Sequence, residues 1–316
     1  MKLVVQIPCY NEEKSLPITL NALPKHIEGI DEIEILIVND GSKDRTVEVA
    51  QECGVNKIVD MPHNSGLAKA FVAGISNALQ MGADIIINTD ADNQYCADDI
   101  EKLVQPILKK EADIVIGARP ISKIKQFSLL KKLLQKLGSY VMRILTSADI
   151  EDAPSGFRAF SKHAAMQLNV FDNYTYTLET IIQAKAKGLV IKSVPVRVNE
   201  DLRKSRLVKN IFDYIRRSVF TMLRMFLIYR PFRFFAAIGG LFLAAGIFLG
   251  CRFLYYYLFA SGSGHVQSLI LSAILLIIGV QVMVIAVLSE LFSINRKLLE
   301  DIQRRVKQQD LKKDKI

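Results

Sequence analysis

Two uninterrupted apolar runs near the C-terminal end constrain this chain more than any other feature. Phe234 to Cys251 contains eighteen residues without a charge, and Val266 to Ser289 contains twenty-four. A helix rises about 1.5 Å per residue and a bilayer presents roughly 30 Å of hydrocarbon, so the second run is long enough to cross. The first becomes so with the flanking aromatic residues Tyr255 to Tyr257. The pair predicts a transmembrane hairpin. Its connection, Ala260 to Ser268, holds no Lys or Arg, whereas both outer flanks are rich in them. The positive-inside bias then puts the large N-terminal region and the C-terminal tail together in the cytoplasm. Arg252 falls near the far end of the first run, where its side chain can snorkel.

The distribution of charge supports a membrane partner over a nucleic acid. The formal charge is +9, but Arg203 to Arg233 holds nine Lys or Arg against the single Asp213, a net of +8, and the chain from Arg296 onward carries a net of +4. The remaining residues are left at −3, so the body is mildly acidic and the basic excess sits beside the apolar runs, where anionic headgroups attract it. No nucleic-acid partner is expected. No basic region leads into a long apolar stretch at the start, since Leu3 to Ile7 stops at Pro8, and a cleaved secretory signal is not expected. Cys9, Cys53, Cys96 and Cys251 show no C-x-x-C pairing and read as reduced thiols of a cytosolic compartment.

Up to about residue 120, short β-rich runs (Leu3 to Ile7, Ile33 to Val38, Lys57 to Val59, Asp84 to Asn88, Asp113 to Ile116) alternate with helical patterns over Asp44 to Cys53, Leu67 to Met81 and Asp98 to Leu108. That alternation predicts an α/β domain with a parallel sheet flanked by helices and a ligand crevice at the C-terminal ends of the strands. A mixed region follows, with a helix near Leu178 to Lys187 and a strand near Val190 to Val198. Leu207, Ile211, Ile215, Val219, Met222 and Phe226 then recur every three or four residues between charged positions, the pattern of an interfacial helix or of a surface helix packed on the domain. The expected divisions are a domain over 1–200, a juxtamembrane loop and helix over 201–233, the hairpin over 234–290 and a basic tail over 291–316 whose end, from Lys307, is frayed.

Three polar clusters close predicted strands. The first strand runs into Pro8, Cys9, Tyr10, Asn11 and Glu12, and the second ends in Asn39, Asp40, Gly41 and Ser42. The apolar strand Asp84 to Asn88 delivers Thr89, Asp90, Ala91, Asp92, Asn93 and Gln94. Two carboxylates one residue apart repel each other and call for a cation, and hard oxygen ligands suit Mg²⁺ or Mn²⁺ shared with substrate phosphates.

In this order, IPCYNEE at 7 to 13, VNDGS at 38 to 42, NSGLAKA at 64 to 70, DADNQ at 90 to 94, IGAR at 116 to 119, SGFRAFS at 155 to 161 and VPVRV at 194 to 198 resemble the family 2 glycosyltransferases. Within them the likeness is to the dolichol-phosphate mannose synthase and polyprenyl-phosphate glycosyltransferase group. It covers nearly the whole chain. The resemblance implies a GT-A nucleotide-sugar domain of Rossmann-like type, a UDP- or GDP-sugar donor, a polyprenyl-phosphate acceptor and inversion at the anomeric carbon.

Carried over residue by residue, the resemblance makes Pro8, Tyr10, Glu12 and Asp40 the lining of the base and ribose pocket. Asp90, Asp92 and Gln94 become the holders of metal and diphosphate, and Arg119 the partner of the acceptor phosphate. Arg203, Ser205 and Arg206 fall where the family places an acceptor-phosphate loop, although this loop lacks the common glycine of R-x-x-G-x-S-K. Asp152 is a candidate base or acceptor-orienting group, or a structural residue. Arg158 is a ligand or a loop-holding residue. His63 and Asn64 precede a helix start and fit a cap better than a ligand. A processive polysaccharide synthase is disfavoured, because its Q-x-x-R-W element needs a tryptophan and the chain has none. A catalytically silent membrane anchor that binds nucleotide-sugar is the alternative of a different class. The apolar hairpin also offers a surface for association with other copies.

Overall fold

The computed structural model describes residues 1–120, 138–140, 142–143, 150–170, 176–199, 216, 219–220, 223–224, 227, 231–259 and 266–313. The acceptor loop over Asp201 to Arg206, with Arg203, Ser205 and Arg206, lies outside them. Of the interfacial helix expected over Leu207 to Phe226, only 216, 219–220 and 223–224 are described, and these are helical. The chain divides into two compact units, Met1–Met222 with Arg304–Ile316, and Leu223–Gln303.

The first unit is built on a seven-stranded sheet: β1 (Lys2–Cys9), β2 (Glu32–Asn39), β3 (Lys57–Asp60), β4 (Ile85–Asn88), β5 (Ile114–Ala118), β6 (Arg158–Ser161) and β7 (Ile191–Pro195), in the spatial order β3-β2-β1-β4-β6-β5-β7. The expected parallel core is present, since β1 lies parallel to β2 and β4, and β5 to β7. The addition is β6, inserted antiparallel between β4 and β5. β4 has all four residues buried, three isoleucines followed by Asn88, as a strand covered on both faces requires of all but its polar end.

Helices α1 (Leu16–Ala22), α2 (Thr46–Glu52), α3 (Leu67–Gln80), α4 (Ile100–Leu108), α5 (Lys162–Gln167) and α6 (Thr177–Ala186) flank the sheet, and a 3₁₀ turn, Ala97–Asp99, precedes α4. α3 shows how pattern becomes packing: Ala68, Phe71, Ile75, Ala78 and Leu79 recur on one face and are buried. On the other side of the sheet, Leu3, Val5 and Ile7 pack with Leu16, Leu20, Ile100, Leu103 and Ile107. Each such fully buried aliphatic side chain contributes about 1.5–3 kcal/mol.

The second unit centres on helix α7 (Pro231–Phe259) and on α8 (Val266–Lys313), which runs on past Gln303 into the first. Both are long and apolar enough to cross a membrane, and only 11% and 17% of their apolar windows are buried within the molecule, so the side chains face outward rather than into a protein core. Glycines let the two backbones approach. A Cβ on Gly239 would lie 3.1 Å from the Gly279 carbonyl oxygen, and one on Gly246 would lie 2.9 Å from Leu276. Between them Ser272 Oγ donates to the Gly246 carbonyl at 2.7 Å, satisfying a hydroxyl that hydrocarbon cannot. The expected division at residue 291 is not a break in the helix. α8 continues to Lys313 without Gly or Pro after Gly279, aided by an i,i+4 pair between Arg296 and Glu300, so the stretch expected to fray is helical through Lys313.

Candidate active site

The loops that leave β1 and β2 are bound to each other. The Asn11 amide donates to Ser42 Oγ at 2.9 Å, the Lys43 amide to Asn11 Oδ1 at 2.8 Å, and the Glu12 amide to Thr46 Oγ1 at 2.8 Å. Asn11 adopts φ 56° to make this exchange, a conformation that asparagine tolerates better than most residues. Glu12 is buried and accepts from Ser15 Oγ at 2.5 Å. Tyr10 stands 37% exposed at the rim, while Pro8 is buried within β1 opposite Val38.

Asp40 links β2 to the start of α3. Its two carboxylate oxygens accept the amides of Ser65 at 2.6 Å and Gly66 at 2.9 Å. These bonds hold the residues that lead into α3 without capping its first turn, and His63 and Asn64, which lie exposed before it, give it no side-chain cap either. Gly41 makes the approach feasible: its φ is +66°, and a Cβ there would lie 2.5 Å from the His63 carbonyl carbon.

The Asp90 to Gln94 loop follows β4 and is held from several directions. Thr19 Oγ1 donates to the Ala91 carbonyl at 3.0 Å, and the Gln94 amide to Asp92 Oδ1 at 3.2 Å. From the segment after β7, Asn199 Nδ2 donates to the carbonyls of Asn93 at 2.9 Å and Tyr95 at 3.2 Å, and its own backbone amide donates to the Gln94 carbonyl at 2.8 Å. The last of these is a backbone bond that pairs the two segments directly. The carboxylates of Asp90 and Asp92 and the side-chain amide oxygen of Gln94 are all-oxygen donors of the kind that would suit Mg²⁺ or Mn²⁺. Among the described residues no group of three or more His, Cys, Asp and Glu side chains that could hold a metal ion forms.

Opposite that loop, Arg119 leaves the end of β5. Nε donates to Asp152 Oδ2 at 2.6 Å and Nη2 to Oδ1 at 3.1 Å, while Nη1 reaches Gln94 Oε1 at 3.4 Å. Burial works against the guanidinium charge, but the facing Tyr95 and Asp152 oxygens outweigh it and hold its pKa above the ordinary arginine value. Asp152 is fully buried, so its carboxylate orients Arg119 rather than meeting solvent. Burial raises the Tyr95 hydroxyl to about 12, opposed by Arg119, and keeps it a neutral hydrogen-bonding group.

Arg158, fully buried, resolves the two roles expected of it. It donates to the carbonyls of Ala153 at 2.7 Å, Ser155 at 2.8 Å and Thr177 at 2.8 Å, and to Thr180 Oγ1 at 2.8 Å. These bonds pin the turn that carries Asp152. Burial lowers its pKa to about 10, still high enough to stay charged at neutral pH. Sequence reasoning missed Tyr95, Tyr176 and Asn199, whose side chains read as ordinary core and loop residues. The available signal was Asn88, an amide ending an otherwise apolar buried strand.

Residues 4–168 match the pattern of Glycosyl transferase family 2. The chain belongs to that family. Among relatives of this family 2 glycosyltransferase, a UDP-N-acetylglucosamine–dolichyl-phosphate N-acetylglucosaminyltransferase of Methanococcus voltae is 35% identical over 213 residues, covering 60% of this chain and 83% of that protein. An undecaprenyl-phosphate mannosyltransferase of Micrococcus luteus is 27% identical over 219 residues, covering 66% and 88%. Glucosyl-3-phosphoglycerate synthase from Mycobacterium tuberculosis, solved with Mn²⁺, UDP-glucose and phosphoglyceric acid, superposes with a TM-score of 0.58 at 18% identity over 71% of this chain and 79% of that one. That likeness establishes the GT-A fold.

Proposed function

We propose that this glycosyltransferase moves a sugar from a UDP- or GDP-sugar to a polyprenyl phosphate at the cytoplasmic face of a membrane, with inversion at the anomeric carbon and with Mg²⁺ or Mn²⁺. The observation that carries it is the facing of opposite charges: the Asp90 to Gln94 loop meets Arg119 through Gln94, with α7 and α8 elsewhere in the chain suited to a bilayer. The names of the Methanococcus voltae and Micrococcus luteus relatives support a polyprenyl-phosphate acceptor and leave the sugar open.

The division of labour follows from charge. Asp90, Asp92 and Gln94 hold the ion and the donor diphosphate, and the ion, when bound, neutralises the leaving group as a Lewis acid. Pro8, Tyr10, Glu12 and Asp40 line the pocket for the base and ribose. A lipid phosphate is already anionic at neutral pH, so it needs orientation more than deprotonation. Arg119 supplies that, with Asp152 fixing the guanidinium plane and Arg203, Ser205 and Arg206 adding acceptor contacts. One phosphate oxygen forms the new bond to the anomeric carbon as the bond to the diphosphate oxygen breaks on the opposite face. The nucleoside diphosphate departs with that electron pair.

Purified full-length chain in detergent, given Mn²⁺, radiolabelled UDP- and GDP-sugars and undecaprenyl phosphate, is expected to yield a lipid-extractable labelled product with one donor class. Nucleotide binding without such a product across the donors would support the silent anchor instead.

A further inference from the structure

At the centre of the sheet one row is polar on three neighbouring strands, β1, β4 and β6, between Leu36 on β2 and Ile116 on β5. The register aligns Gln6 with Asn88 and Asn88 with Arg158, whereas the adjacent row is Val5, Ile87, Ala159 and Val115. Gln6, Asn88 and Arg158 are all fully buried. Buried amides that exist only to fill space are costly, so this row calls for a purpose.

The bonds lead to the Asp90 loop. Gln6 Nε2 donates to Asn88 Oδ1 at 2.8 Å. Asn88 Nδ2 donates both to the Gly156 carbonyl and to the Tyr176 hydroxyl, each at 2.8 Å. The Tyr176 hydroxyl in turn donates to the Gly156 carbonyl at 3.3 Å, and the Gly156 amide donates to the Tyr95 hydroxyl at 3.2 Å. The Gly156 backbone is therefore gripped at both its amide and its carbonyl. Its α-carbon forms the floor under Asp90: a Cβ there would lie 3.1 Å from both carboxylate oxygens and 3.2 Å from the Tyr176 hydroxyl. The Tyr176 ring is itself fixed, stacked 3.9 Å from Phe71 at an interplanar angle of 2°.

We propose that Tyr176 is a positioning residue that, through Gly156, sets where the Asp90 carboxylate stands and so tunes the affinity of the site for a divalent cation together with a nucleoside diphosphate. Resting on the donor reading above, this adds a residue remote in sequence to the ion-binding loop. The hydroxyl is the part that acts, and the ring is the part that packs.

Two variants separate those parts. Tyr176→Phe keeps the stack and removes the hydroxyl. Phe71→Leu removes the stacking partner and keeps the hydroxyl. Mn²⁺ binding to the full chain in detergent is read by electron paramagnetic resonance with UDP or GDP present, alongside Tm. Tyr176→Phe is expected to weaken Mn²⁺ binding by about tenfold, the scale of one buried hydrogen bond, while Phe71→Leu lowers Tm and leaves the affinity within about twofold of wild type. Binding by Tyr176→Phe within about twofold of wild type would overturn the proposal, as would equal weakening by both variants. If the wild-type chain binds no Mn²⁺ with either nucleotide, the donor reading itself fails and takes the proposal with it.

Discussion

Arg119 and Asp152 are joined by two parallel bonds, Nε to Oδ2 at 2.6 Å and Nη2 to Oδ1 at 3.1 Å, with side-chain exposures of only 8% and 0%. Removing one partner of such a pair strands the other charge in a poorly solvated place. Asp152→Asn is therefore expected to destabilise the chain by about 3 kcal/mol or more, and Arg119→Gln similarly. The double variant should lose clearly less than the sum. Thermal unfolding of the four proteins in detergent checks this, and strict additivity would mean that the two side chains do not act as a unit.

Gly41 lies at a point where two loops nearly touch. With φ +66° and the His63 and Asn64 backbones within 2.7 Å of any added Cβ, Gly41→Ala combines backbone strain with collision. A loss of about 2 kcal/mol or more is expected, together with weaker nucleotide binding, because the displaced loop carries Ser65 and Gly66 away from Asp40. Tm and UDP or GDP titration would measure both.

Asp99 ties the segment after β7 to the 3₁₀ turn before α4, accepting from the Arg197 amide at 2.6 Å and from its guanidinium at 2.9 Å. Burial pushes the carboxyl pKa up, and the bonds from Arg197 and Lys102 outweigh that, leaving it below the ordinary aspartate value. A depressed carboxylate contributes stability that is present above its unfolded pKa and lost as pH falls through the lower folded value. The Tm advantage of wild type over Asp99→Asn should therefore be full near neutrality and disappear in acid below the usual aspartate range. A difference that stays constant with pH would show that the charge of Asp99 contributes nothing.

In the hairpin, Gly246→Leu places a side chain where Leu276 leaves only 2.9 Å, so the α7–α8 contact should open and Tm in detergent should fall markedly. Ser272→Ala loses only the bond to the Gly246 carbonyl, about 0.6 kcal/mol on average for such membrane bonds. Equal effects of the two variants would argue against close backbone packing.

How far the sequence revealed this molecule can be traced to particular residues. Strands such as Leu3 to Ile7 and Asp84 to Asn88 announced themselves by short apolar-rich runs, and α3 by its three-to-four spacing. β6 did not, because Arg158 opens a run of four and its burial depends on carbonyls supplied by Ala153, Ser155 and Thr177. α1 was hidden by Pro17, which suits a first helical turn as readily as a loop. At the site, Asp90, Asp92 and Arg119 stood out as charges ending strands. Tyr176 did not, since a core tyrosine becomes informative only once its hydroxyl partners, Asn88 and Gly156, are known in space.

The central claim is that Asp90 and Asp92 hold a cation that lets a nucleotide-sugar give up its sugar to a lipid phosphate. Its most direct test is Mn²⁺-dependent transfer of labelled sugar to undecaprenyl phosphate by wild type and by Asp92→Asn, compared at equal folded protein. Transfer that requires Mn²⁺ in the wild type and falls by at least about a hundredfold in Asp92→Asn is the predicted result. Full transfer by Asp92→Asn, or transfer by the wild type that is indifferent to chelation of divalent ions, would contradict it.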